Sequence, residues 1–157
     1  MRHAGHLVQR FFGHLTASGL SPHQQQRVHD RLDEPAAQLF WAQSAADQRH
    51  AFDVATRVEA SLPDDDKAFV AALLHDVGKR HAGLGAVGRS IATVLDGIGL
   101  PMTASMQMYR SHGPIGAAEL SAAGFEGLVV DFAANHPGPV PPGVEADPWN
   151  ALLKADG

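Results

Sequence analysis

The stretch that most constrains this chain is Phe69-Val-Ala-Ala-Leu-Leu-His-Asp-Val-Gly-Lys79. From Phe69 to Val77 it is apolar on every face except where it reaches His75 and Asp76, and a helix hydrophobic all round belongs inside a domain. The helical period places Phe69, Ala72, Leu73 and Asp76 on one stripe, with Ala68, Ala71, Ala72 and His75 on the next. A carboxylate thus continues a buried stripe, with an imidazole beside it. An unpaired buried carboxylate is costly, so it needs a cation or must hold a proton. Gly78 is expected to end the helix as its C-cap. Together these residues point to a metal ion at the helix end.

Helical periodicity also organises the remainder. Residues 6 to 17 read as a short amphipathic helix carrying Leu7, Phe11 and Leu15, with His3, His6 and His14 in or near it. Ser21-Pro22 is a helix start, Ser as N-cap and Pro at the first helical position. Residues 22 to 32 are polar and expected at the surface with His23 and His29. Pro35 opens a helix with Leu39, Phe40 and Trp41. From Ala46 to Leu62 the stripe is Ala51, Val54, Ala55, Val58 and Leu62, with His50 one turn before Val54 on its edge. Pro63-Asp64-Asp65-Asp66 is a turn and an acidic first helical turn, matched to the dipole of the helix it precedes.

Beyond Lys79 the Gly-rich segment 80 to 88 matches no dinucleotide-binding or P-loop pattern, and no strand precedes it. A helix follows through Ile91, Val94 and Leu95, and another with Met102, Met106 and Tyr109, where methionines are expected as core filler. His112-Gly-Pro-Ile-Gly begins the next, with Ile115 and Leu120 inward. Phe125, Leu128, Val129 and Phe132 then form a stripe that His136 extends by a turn. After a Pro- and Gly-rich loop over 137 to 143, the helix from Pro148 to about Asp156 carries Trp149, Leu152 and Leu153, with Asp156 next on the stripe. With no repeat and no convincing strand, the expected fold is an all-α, single-domain helical bundle.

The chain has 157 residues, enough for one domain with a real core, and a net charge of -5, which argues against general affinity for nucleic acid or anionic membrane. Its longest apolar run, near 68 to 77, is too short to span a bilayer. Gln9 and Arg10 interrupt the apolar core that a signal peptide needs, so a cytoplasmic location is expected. There is no cysteine, hence no disulfide and no thiolate ligand, but there are ten histidines. Asp76, His136 and Asp156 stand where the period calls for apolar residues, and His50 and His75 lie on or beside such stripes. Imidazoles and carboxylates without thiolates suit divalent Fe, Mn, Co, Ni or Zn, and the set is large enough for one or two ions.

These motifs resemble the HD-domain metal-dependent hydrolases, a family of all-α proteins named for an isolated His, a His-Asp pair and a distant Asp. The matching residues are His50 in Asp47-Gln-Arg-His-Ala-Phe-Asp-Val, His75-Asp76 in Leu-Leu-His-Asp-Val-Gly-Lys, and Asp156 in Leu-Leu-Lys-Ala-Asp. The resemblance covers about 46 to 156, which implies an HD-type metal-binding domain over 46 to 157 and leaves 1 to 45 as an added N-terminal helical cap. Binuclear members place two more histidines between the pair and the last Asp. By that order the resemblance implies His112 and His136 as ligands of a second ion, with Asp76 bridging. The segment Asn135-His136-Pro137 lacks the paired histidines of many binuclear members. The chain also lacks the Gly-Tyr-Pro signature of the branch that cleaves cyclic dinucleotides, which argues against that activity.

What the resemblance implies is a phosphohydrolase that acts through metal-activated water on a small phosphorylated substrate, a nucleotide among the candidates. Lys79, one turn past the pair, is expected either to stabilise developing negative charge or to serve as a helix-end cation. Arg80, His81 and Arg89 flank the Gly-rich loop as candidate phosphate contacts. Two other functions remain open at this point: a di-iron oxygenase built on the same ligands, and a non-catalytic HD binding domain.

Overall fold

A computed structural model describes residues 19–157, so the helix expected over 6 to 17, with His3, His6 and His14, lies outside the described residues. Among the described residues the chain is all-helical: α1 Pro22–His29, α2 Glu34–Trp41, α3 Ala45–Ser61, α4 Asp66–Leu74, a 3-10 segment Val77–Ala82, α5 Ala86–Gly97, α6 Ala104–Arg110, α7 His112–Ala122, α8 Leu128–Asn135 and α9 Ala146–Asp156. None of these helices is long and apolar enough to cross a membrane. The starts follow local chemistry. Ser21 forms a capping box with Gln24 ahead of Pro22, while the Asp33, Ser44 and Asp65 side chains each accept a first-turn N–H of α2, α3 and α4.

The centre is α4, which packs between α3 and α8 and also meets α2 and α9. Ala68, Phe69, Ala71, Ala72, Leu73 and Leu74 are all buried, so α4 has no solvent face beyond its first turn and Val70. Each buried Phe or Leu contributes about 1.5–3 kcal/mol of transfer free energy. Around them one continuous core takes Val28, Phe40, Val54, Val58, Leu120, Phe132, Trp149 and Leu152. Residues from α1, α2 and the turn between them are part of that same core, through Val28, Leu32, Ala36 and Phe40.

The central motif differs from a simple helix. The α-helix stops at Leu74, with His75 still right-handed as C-cap. Asp76 leaves it at φ -107°, ψ 9°, near the sparsely populated bridge region. A 3-10 segment carries the chain on to Gly83, which turns left-handed at φ 61°. Gly78 is therefore not the C-cap. It is buried within the 3-10 segment, where a β-carbon would stand 2.0 Å from the His112 carbonyl oxygen. The glycine is needed because α7 crosses there in backbone contact.

The last motif differs too. Instead of running from Phe125 to His136, α8 begins at Leu128 after Gly127 and ends at Asn135. His136 is extended, at φ -65°, ψ 146°, as the clash with a following proline requires of residue 136. The expected stripes otherwise hold at Ala51, Val54, Ala55 and Val58, and at Trp149 and Leu152. The methionines do not act as core filler. Met102 and Met106 are half-buried, Met108 is exposed, and Ile91 and Val94 on α5 are exposed as well.

Candidate metal centre

Four helices and the α4 exit bring every expected ligand to one place. His50 comes from the second turn of α3, and His75 and Asp76 from the end of α4. His112 opens α7, His136 follows α8 and Asp156 closes α9. Three overlapping groups have donor atoms mutually within 4.8 Å and could hold a metal ion: His50, His75 and Asp76; His75, His136 and Asp156; and Asp76, His112 and His136.

The arrangement divides about Asp76. Its Oδ2 lies 3.2 Å from His75 Nε2 and 4.0 Å from His50 Nε2. Asp156 Oδ1 closes this side, 3.0 Å from His50 Nε2 and 3.6 Å from His75 Nε2. The other carboxylate oxygen, Oδ1, lies 3.4 Å from both His112 Nε2 and His136 Nε2. One buried carboxylate thus offers an oxygen to each of two imidazole pairs.

The imidazoles are oriented from behind. Nδ1 of His75 donates to the Ala72 carbonyl at 2.7 Å, that of His112 to Tyr109 at 2.7 Å, and that of His136 to Phe132 at 2.8 Å. A carbonyl only accepts, so each Nδ1 carries the hydrogen, and in the neutral ring Nε2 is left with its lone pair facing the centre. Histidines that ligate metals are held by this kind of outer hydrogen bond. His75 Nε2, His112 Nε2 and Asp76 Oδ1 are buried without a hydrogen-bond partner among the described residues. Buried polar atoms left this way are costly unless something coordinates them, and the convergent N and O donors fit a divalent transition metal.

Rings and backbone fix the frame. The Tyr109 ring stacks on His112 and the Phe132 ring on His136. Arg57 donates to the Ala155 carbonyl at 2.7 Å, tying the last turn of α9 to α3 and Asp156 to His50. Trp149 Nε1 donates to the Gly138 carbonyl at 3.2 Å, which holds the loop after His136 against α9.

Charge reinforces the geometry. Burial alone would raise Asp76, but His75 and Lys79, with His112 and His136 alongside, outweigh it and hold the carboxyl well below its usual range. Burial likewise opposes ionisation of Asp156, yet the hydrogen bond with His50 and the adjacent His75 imidazole keep it low. Desolvation would lower the His75 imidazole; Asp76 and Asp156 reverse that and push it up to about 10. Two carboxylates stay ionised among four imidazoles, a field that favours cations.

Lys79 joins this centre directly, its Nζ donating to Asp76 Oδ2. The three other candidate phosphate contacts have carboxylate partners. Arg80 donates to Glu119 at 2.6 Å, His81 lies 2.8 Å from the same oxygen, and Arg89 holds Asp47 in a two-pronged pair. That last pair is absent from the sequence reading. Asp47 is buried three residues before His50, and Arg89 is 42 positions away, so no local pattern links them. Set beside models of known protein families, curated proteins and solved structures, the chain matches none of them.

Proposed function

We propose that this chain is a metal-dependent phosphohydrolase of the HD-domain type, holding two divalent ions between His50, His75, Asp156 and Asp76 on one side and Asp76, His112 and His136 on the other. The observation that carries the reading is Asp76, buried and with its two oxygens facing separate imidazole pairs. Divalent ions bound there supply Lewis acidity, which acidifies water and polarises phosphoryl oxygens.

The chain's own groups do the rest. His75 and Asp76 are each 1% exposed and close the floor, whereas the side chains of His50 and His112 keep 19% exposure and that of Lys79 18%. A substrate therefore arrives from the side of His50, His112 and Lys79. On that side the Lys79 ammonium is placed to meet negative charge developing on a phosphoryl oxygen. Phe132 and Trp149 pack beneath the imidazoles and exclude water from below.

The test is elemental analysis of freshly purified protein, then a panel of phosphate mono- and diesters assayed with and without oxygen. Divalent metal together with oxygen-independent phosphate release upholds the reading. Metal-free protein after metal-replete expression, or turnover that consumes dioxygen stoichiometrically, sinks it.

A further inference from the structure

Arg89 stands near the start of α5 with its side chain only 12% exposed, and its guanidinium gathers three separate segments. Nη1 and Nη2 both donate to Asp47, which is buried in the first turn of α3. Nε donates to the Leu84 carbonyl at 2.9 Å, in the loop before α5. The guanidinium carbon lies 5.9 Å from the centre of the Tyr109 ring on α6, at cation–π distance. Tyr109 in turn backs His112 twice. Its ring stacks on the imidazole at 5.6 Å, and its carbonyl accepts the Nδ1 hydrogen at 2.7 Å.

We propose that Arg89 is a positioning residue for the second ion: braced on Asp47, it holds Tyr109, and through Tyr109 it sets the aim of His112. The inference rests on the two-ion reading of the centre and not on the identity of the substrate. Both terminal nitrogens of the guanidinium face a buried carboxylate, so Arg89 is committed to bracing rather than to holding a phosphate.

The brace matters because α6 is weak. It has seven residues, and none of them is buried. A helix this short is not stable by itself, so its place is set by what it touches. It packs on the 3-10 segment and on α5, and α5 packs chiefly on α6. Arg89 is the tie that runs from this pair of helices to α3. By contrast α3 runs for 17 residues, with Ala51, Val54, Ala55 and Val58 buried, and it carries His50 with it. His136 is held separately, by the Phe132 carbonyl. Loss of the brace is therefore felt at His112 and at the ion it serves, and not at the ion beside His50.

Deleting Arg89 outright would remove the charge that faces buried Asp47 and endanger the fold. Arg89→Lys keeps the charge and loses the two-pronged fork and the planar cation over the ring. The experiment titrates metal-stripped protein with cobalt(II), following the two binding steps by calorimetry and by visible absorption of the bound ion. Wild type is compared with Arg89→Lys, Tyr109→Leu and the double variant, with melting temperatures alongside. Losing an outer partner of a ligating histidine costs about 10–100-fold in metal affinity. The expected result for Arg89→Lys is a second step weakened about tenfold, the low end because Arg89 acts one residue removed. The absorption of the second ion should change with it, while the first step stays close to that of wild type. The double variant should bind no more weakly than Tyr109→Leu, because losses along one shared path do not add. An unchanged second step overturns the proposal, as do strictly additive losses. Equal weakening of both steps with a lowered melting temperature also overturns it, leaving Arg89 as an ordinary structural ion pair. Wild type that takes up a single cobalt ion refutes the two-ion reading itself, and the proposal falls with it.

Discussion

Gly78 and His112 meet backbone to backbone, so closely that a β-carbon on residue 78 would stand 2.0 Å from the His112 carbonyl oxygen. The same imaginary carbon would also lie 2.8 Å from the Gly116 nitrogen, so the obstacle is rigid helix rather than a side chain that can swing away. Overpacking normally costs about 1–3 kcal/mol, and a backbone obstacle puts Gly78→Ala at or above the top of that range. Because α7 must shift to make room, and His112 is its first residue, metal affinity should fall together with melting temperature. Unchanged metal content and stability in Gly78→Ala would contradict the close approach.

Asp76→Asn keeps the shape of the side chain and removes the charge shared by the two halves of the centre. We expect it to lose most bound metal while still folding, whereas His136→Ala should lose about one ion and keep the other. The contrast follows from position: Asp76 faces His50 and His75 with one oxygen, and His112 and His136 with the other. Metal counts per chain by mass spectrometry of elements decide it. Equal counts in both variants would reduce the centre to a single ion.

Periodicity revealed much of this centre, and its failures have physical causes. His50 and Asp156 were legible because each continues an amphipathic stripe whose apolar members are buried at Val54, Val58, Trp149 and Leu152. His112 was not, since it begins its helix and has no stripe upstream; only its order in the chain, by resemblance, singled it out. At Asp76 the stripe led to the correct burial although the α-helix had already ended at Leu74. Gly78 was misread because a C-cap glycine and a close-approach glycine look alike until the crossing helix is known. The pairing of Asp47 with Arg89 depends on tertiary neighbours that no local pattern encodes.

Stripped of metal, the protein should have a distinctive dependence of stability on pH. Against the effect of burial, Asp76 and Asp156 hold His75 up to about 10, from an ordinary value near 6.5. A raised imidazole contributes stability that is complete below its unfolded value and is lost as the pH climbs through its folded one. Asp76 and Asp156 are held low, so their contribution is present above the ordinary carboxylate range near 4 and is lost as the pH falls below it. The melting temperature of chelator-treated protein should therefore peak between about pH 4.5 and 6.5 and decline towards pH 10. His75→Gln should flatten the alkaline decline. A wild-type profile level from pH 6.5 to 10 would contradict the charge balance assigned to His75.

Lys79 has two possible roles, and the magnitudes separate them. Its Nζ donates to Asp76 Oδ2, and its side chain is 18% exposed on the open side of the centre. If it meets charge developing on a phosphoryl oxygen, Lys79→Ala should slow turnover by about a hundredfold, as loss of a charge-stabilising donor does. If it is only a helix-end cation, it is worth about 0.3–1 kcal/mol in stability and nothing in rate. Its pairing with a buried carboxylate adds a second signature. In metal-loaded protein, ions neutralise Asp76 and the melting temperature should barely move. In stripped protein, Lys79→Ala leaves Asp76 short of a counter-charge, and the loss should approach the few kcal/mol typical of a broken buried pair, less a discount for partial exposure. Turnover and melting temperature, each measured with and without metal, therefore give a four-way comparison. A hundredfold rate loss with a metal-dependent stability loss fits the first role. Full turnover with the same small stability loss in both states would return Lys79 to the helix dipole.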